Sequence, residues 1–132
     1  MKAYVNGVRI IPTEEEEQAA LFSWAEVMEN RYPELRLMFH VPNGGLRSKT
    51  EAARFKRAGV KAGVPDICLP VARGGFHGLW IELKAMDGKL SENQLCWIGA
   101  LIRQGYMAVK CRGFEEARQT VEEYLEMEVV ER

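Results

Sequence analysis

Apolar side chains recur along this chain at two different periods, and the switches between them mark its elements. Leu21, Trp24, Ala25 and Met28 follow one another at the spacing of a helix with one buried face. Thr13 precedes them with Glu16 three positions on, the pattern of a capping box. A helix is therefore predicted over 13–31, ended by Tyr32-Pro33 because a residue before proline avoids helical backbone. The apolar-rich run Leu35–Val41, closed by Pro42-Asn43-Gly44-Gly45, reads as a strand followed by a loop. Lys49–Ala58 has helical character and stops at Gly59, a residue suited to a helix C-terminus.

Ile67–Val71 and Leu79–Leu83 are predicted as short strands joined by the glycine-rich turn Arg73–Gly78. Ser91 and Gln94 form a second capping box, opening a helix to about Gln104 with Leu95, Ile98, Leu101 and Ile102 facing inward. Gly105 closes it, Tyr106–Cys111 reads as another strand, and Phe114–Glu126 as a last helix carrying Ala117, Val121, Tyr124 and Leu125. Ahead of all these, residues 3–11 form a strand or a hairpin around Asn6-Gly7. The order predicts an α/β fold, a small mixed sheet flanked by helices.

Composition narrows the class. With 132 residues, 47% hydrophobic and 28% charged, the chain is expected to be one globular domain rather than disordered. No run approaches the ~18 apolar residues of a membrane span, and Met1–Tyr4 lacks a signal peptide's apolar stretch, so a cytoplasmic protein is expected. Cys68, Cys96 and Cys111 form no CxxC pair and are expected to be buried, reduced thiols. The net charge of −1 conceals an uneven distribution. Arg47–Lys61 holds six basic residues against Glu51, whereas Glu115–Arg132 holds seven acids against Arg118 and Arg132. Affinity for a polyanion must come from the first segment, not from the total.

The candidate chemistry lies between Pro65-Asp66 and Glu82-Leu83-Lys84. Alternation puts Glu82 and Lys84 on one strand face, and a turn centred near Gly75 would set Asp66 opposite Lys84, with Glu82 one same-face step away. Two carboxylates and an ammonium would then converge. Oxygen ligands of this kind suit Mg²⁺ or Mn²⁺, and a lysine beside them can stabilise charge on a phosphate or position a water. The same residues could instead form a solvated cross-strand ion pair beside an ordinary turn aspartate.

The surrounding sequence resembles one nuclease family. Pro65-Asp66 with Glu82-Leu83-Lys84 looks like the PD-(D/E)xK signature of a restriction-endonuclease-like core. Glu14-x-x-x-Gln18, His40-Val41-Pro42-Asn43-Gly44-Gly45, Gly59-x-x-x-Gly63-Val64-Pro65-Asp66, Ile81–Lys84 and Leu90-Ser91-x-x-Gln94 resemble the VRR-NUC domain in the family's order, over about 13–125. The resemblance implies a metal held by Asp66, Glu82 and the backbone carbonyl of Leu83, with Lys84 as catalytic lysine. It implies a helix acid at Glu14, with Glu15 the next choice, and site-facing glutamines at Gln18 and Gln94. The macrodipole also favours acids at 14–17, and Gln94 also completes a capping box.

The implied reaction is metal-dependent phosphodiester hydrolysis in DNA, with Mg²⁺ as cofactor and Mn²⁺ substituting, and no small-molecule cofactor. Asn43, Arg47, Lys49, Arg54, Arg57 and Lys61 are the candidate DNA contacts, a phosphate-tracking surface leading into the site. Stand-alone relatives resemble Holliday-junction resolvases, which implies a homodimer on branched DNA, with a role in phage replication or recombination within the host cytoplasm. A flap or end-processing nuclease, or a silent DNA-binding module of the same fold, is the alternative. His40 reads as structural, His77 as an exposed turn residue, and Trp24, Trp80 and Trp97 as core.

Overall fold

The computed structural model describes residues 3–42 and 48–129. A hairpin of β1 (Tyr4–Val5) and β2 (Val8–Arg9) opens the chain, its turn made by Asn6 and Gly7 at φ 50° and 77°. That is the backbone an Asn-Gly pair favours in a tight hairpin. Helix α1 (Glu14–Met28) starts at the predicted capping box: the Thr13 hydroxyl accepts from the Glu16 N–H, and the Glu16 carboxylate accepts from the Thr13 N–H.

The next segment differs from the expected strand. Pro33–Leu37 is a 3₁₀ turn, and β3 is only Phe39–His40. Proline pre-sets the first helical φ, and a three-residue turn puts Leu35 and Met38 on one buried side while Leu37 stays exposed. Helix α2 (Lys49–Arg57) is capped by Ser48 and buries none of its residues. Strands β4 (Ile67–Leu69) and β5 (Leu79–Lys84), helix α3 (Glu92–Arg103), strand β6 (Met107–Arg112) and helix α4 (Gly113–Leu125) complete the order.

The main sheet runs β3-β4-β5-β6, antiparallel except for the parallel pair β5-β6, which α3 connects. Ile67, Leu69, Leu79, Ile81 and Leu83 point to one face, against Leu21 and Ala25 of α1 and Ala117, Val121 and Tyr124 of α4. Each such aliphatic side chain contributes about 1.5–3 kcal/mol when fully buried. The buried Tyr124 hydroxyl donates to the Val71 carbonyl at 2.6 Å, fixing α4 to the chain leaving β4.

Helix α3 corrects a second expectation. It adds no side chain to that core, and Leu95 and Ile102, expected inward, are 54% and 53% exposed. Its periodicity has the form of one broad buried stripe, but a crossover helix that packs mainly against β6 covers only part of that stripe. Cys96 is likewise exposed on α3, while Cys68 and Cys111 are buried as expected. Burial pushes the thiols of Cys68 and Cys111 up to about 11, which keeps them unreactive. Among the described residues no helix is long and apolar enough to cross a membrane.

Candidate active site

Strand pairing builds the site. Ile67 faces Ile81 and Cys68 faces Trp80, so the same register puts Asp66 opposite Glu82, not opposite Lys84 as the turn arithmetic predicts. The ladder is centred on Gly74 rather than Gly75, which slips the pairing by two residues from the expected one, and the Arg73–Phe76 bridge closes the turn one residue out of that register. A two-residue slip preserves the face, so Asp66, Glu82 and Lys84 still share one side of the sheet. The two carboxylates are brought closer than predicted.

Asp66 is held from below. Its Oδ2 accepts the Leu83 backbone N–H at 3.0 Å. Continuing the register sets Pro65 opposite Leu83, and proline has no N–H to offer the Leu83 carbonyl. Both backbone groups of a strand residue point to the same side, so that carbonyl is directed toward the Asp66 edge without a ladder donor from position 65.

Glu82 is the only buried charged residue among those described, at 1% exposure, and its Oε1 has no hydrogen-bond partner. Burial, then hydrogen bonding and repulsion from Asp66, with a smaller push from Glu14, drive its carboxyl up to about 9, against the pull of Lys84. Such an orphaned oxygen is costly unless a cation or a proton meets it. Lys84, its side chain 12% exposed, lies 3.9 Å from Oε1 of Glu14 at the start of α1. Gly88 keeps room for that pair: a Cβ there would come within 3.2 Å of Lys84 Cδ and 3.3 Å of Glu14 Oε1.

The other candidates fall less centrally. Glu15 is exposed, and Gln18, one turn beyond Glu14, is half-buried and makes no hydrogen bond among the described residues. Gln94 is occupied by the capping box, its Oε1 accepting the Ser91 N–H at 2.9 Å. Gly63, at φ 93°, lies so close to Asn93 that a Cβ would come within 2.7 Å, so the chain entering β4 is pressed against the N-terminus of α3. Lys49 and Arg57 line a groove of about 730 Å³ on α2 with Thr50, Ala53 and Lys56. Arg54 instead places its guanidinium 5.5 Å from the Phe55 ring centroid, and Lys61 is exposed just beyond α2. Asn43 and Arg47 lie outside the described residues. His40 Nδ1 is 2.9 Å from the Asp66 carbonyl oxygen, in keeping with a structural role.

No three His, Cys, Asp or Glu side chains among the described residues are already gathered at metal-binding distance. The donor set is still suited to a hard cation: two carboxylates on one face, one with a buried orphaned oxygen, and a carbonyl lacking its ladder donor. The sequence marks Pro65 only as part of a motif, and nothing in it marks Gly88 as part of this geometry. Nor does it mark Lys110 opposite Glu82 and Arg112 opposite Lys84 on β6, because a parallel register has no turn from which to count.

The VRR-NUC domain family matches residues 13–115. The chain belongs to the VRR-NUC family. A solved structure of a VRR_NUC domain protein is 32% identical, superposes with a TM-score of 0.79, and is matched over 93% of its length by 91% of this chain. No curated protein sequence matches the chain. A VRR-NUC domain is a nuclease domain of the PD-(D/E)xK type, with DNA as its substrate, and the family generally uses divalent metals. Asp66, Glu82 and Lys84 lie within the matched residues, where β4 and β5 meet.

Proposed function

We propose that residues 1–132 act as one nuclease domain, a divalent-metal-dependent DNA endonuclease with Asp66, Glu82 and Lys84 at its centre. The observation that carries this reading is Glu82, a buried carboxylate with an unpartnered oxygen directly opposite a second carboxylate. A buried pair of this kind is stable as a pair only with a proton or a cation between its members. Asp66, Glu82 and the Leu83 carbonyl would hold the cation, with Glu14 reaching it directly or through water. Mg²⁺ suits an all-oxygen set, and Mn²⁺ substitutes. When bound, the cation polarises the scissile phosphate and makes a water more acidic.

The chain's own groups do the rest. Asp66 is fixed by the Leu83 N–H, so the metal edge does not swing. Lys84, mostly shielded and loosely paired with Glu14, can release that partner and turn its ammonium to the attacking water or to a phosphate oxygen. The water's oxygen bonds phosphorus as the P–O bond to the ester oxygen in line with it breaks; the water gives up a proton to solvent, and the departing oxygen takes one up from solvent to leave as a hydroxyl. Gln94 and Gln18 line the approach, and Lys49, Arg57, Lys61 and their neighbours bind DNA phosphates.

The preferred substrate is branched DNA, such as a four-way junction, cut by a homodimer in replication, recombination or repair. One chain carries one Asp66–Glu82–Lys84 set, so paired cuts require two copies. The exposed Leu95 and Ile102 of α3 are the sort of apolar surface that association covers.

The test is cleavage of labelled four-way junction, flap, single-strand and linear duplex DNA with Mg²⁺ or Mn²⁺, beside Glu82→Ala and Lys84→Ala, with the mass in solution measured in parallel. Metal-dependent symmetric cuts in the junction by a dimer, lost in both variants, are expected. Cuts confined to flaps or ends overturn the substrate, and binding without cleavage in any metal leaves only a binding module. A strict monomer treating junction and duplex alike overturns the dimeric reading.

A further inference from the structure

The basic residues divide by whether their charge is already met. Arg9 pairs with Asp87, Arg36 with Glu29, Arg73 with Glu34, and Arg118 with Glu115 and Glu122. Arg31 lies over the Tyr32 ring, as Arg54 does over Phe55. The cations on or just after α2, Lys49, Lys56, Arg57 and Lys61, make no ion pair or hydrogen bond among the described residues. Outside α2 the same holds for Lys89, Lys110 and Arg112, and for Arg103 at the far end of α3.

Two of these are placed by the sheet. Lys110 is opposite Glu82 in the parallel register without pairing with it, and Arg112 is opposite Lys84. Neighbouring strands are about 4.8 Å apart, so both lie one strand beyond the catalytic residues on the same face. Directly opposed like charges, as at Lys84 and Arg112, destabilise a sheet unless an anion lies over them. Glu14 meets part of the Lys84 charge, at 3.9 Å. Nothing among the described residues meets that of Arg112, although Glu16, Glu17 and Glu115 share the 440 Å³ cleft that it lines. The Glu17 carboxylate is already bonded to the Phe114 N–H, and Glu16 to Thr13.

The geometry points to Lys110 and Arg112 as contacts for DNA phosphates on the β6 side of the site. The substrate backbone then runs over Asp66 and Glu82 and on across β6, where these two cations hold phosphates next to the scissile one. This path rests on the nuclease reading above and extends it to a strand that carries none of the family motifs quoted for this chain.

The experiment measures binding of four-way junction and linear duplex DNA by fluorescence anisotropy in Ca²⁺ over a series of salt concentrations, with single-turnover cleavage in Mg²⁺ alongside. The proteins are wild type, Lys110→Gln, Arg112→Gln, the double variant, Lys110→Arg, Arg112→Lys and the control Arg103→Gln. Each glutamine variant is expected to weaken binding roughly fivefold and flatten the dependence of log K on log salt by about 0.9, and the double variant by about twice that. Single-turnover cleavage falls along with binding, and the charge-conserving variants keep the wild-type slope and rate.

An unchanged slope in the double variant overturns the inference, as does an equal effect from Arg103→Gln, which would make the loss one of net charge alone. Should Lys110→Gln fail to fold, the exposed Arg112 carries the test by itself. A wild-type protein that neither binds nor cuts DNA overturns the nuclease reading, whereas one that binds and cuts with an indifferent β6 overturns only this path.

Discussion

The carboxylate of Asp66 takes the backbone N–H of Leu83 at 3.0 Å, a side chain standing in for a strand. The β4–β5 ladder ends at the Ile67–Ile81 pair, so no strand residue takes the Leu83 N–H, and the Asp66 carboxylate accepts it instead. One residue therefore serves both the sheet and the proposed metal site. Asp66→Asn can still present an oxygen to Leu83 and is expected to melt near wild type while losing cleavage by roughly 100-fold or more. Asp66→Ala leaves that N–H unpaired beside the buried Leu83, at a further cost of about 1–3 kcal/mol. Thermal melts and single-turnover cleavage of the two variants separate these effects. Equal melting temperatures would show that the bond does not support the sheet.

Glu14 and Lys84 form a long pair, 3.9 Å apart, that Gly88 leaves room for. Lys84→Ala is expected to lower cleavage by on the order of 100-fold with DNA binding retained. Glu14→Gln should cost only about tenfold, since it removes a positioning charge rather than the group at the phosphate. Gly88→Val, which crowds both side chains, should reduce the cleavage rate several-fold with little change in DNA affinity. A Gly88→Val enzyme with wild-type turnover would mean that the pair is dispensable.

Glu82 sets a pH dependence whose sign follows from its raised carboxyl, up to about 9 against an ordinary 4.5. Without metal, the folded protein keeps the proton between those limits while the unfolded chain releases it. Stability therefore falls as pH rises through that window, by a few kcal/mol in all, and is unaffected by Glu82 at lower pH, where both states are protonated. Glu82→Gln removes the penalty, so in chelator at pH 8 it is expected to melt several degrees above wild type, with the gap closing toward pH 5. Metal entry at pH 7 should release about one proton, read as a calorimetric heat that changes with the buffer's ionisation enthalpy. A melting difference independent of pH would sink this account.

Much of this site is written locally. The two capping boxes at Thr13 and Ser91 are local chemistry and appear as predicted, and the alternation in Leu79–Lys84 puts Glu82 and Lys84 on one face. What failed depended on distant partners. The Asp66–Glu82 register depended on where the turn between β4 and β5 is centred, one residue before the expected Gly75, and Leu35–Val41 yielded to a proline-started 3₁₀ turn. Leu95 and Ile102 have the spacing of core residues, yet their exposure depends on how much of α3 the sheet reaches. Lys110 is unremarkable in sequence and gains meaning only from the parallel pairing of β6 with β5.

Helix α2 makes a last prediction, because its cations are not equivalent. Lys49, Lys56 and Arg57 share a groove whose floor is Thr50 and Ala53, small enough for a DNA backbone to approach, whereas Arg54 is turned over Phe55. A helix that buries nothing gains little from the fold for holding three unpaired cations on one face. Removing Lys49, Lys56 and Arg57 together is expected to flatten the salt dependence of DNA binding by about 2.7, three contacts at roughly 0.9 each, for junction and duplex alike. Arg54→Ala should change it by much less, and neither should alter the melting temperature appreciably. A triple variant that loses affinity for junctions alone would mean that α2 recognises the branch rather than the backbone, and an Arg54→Ala effect equal to Arg57→Ala would show that the groove does not select its contacts.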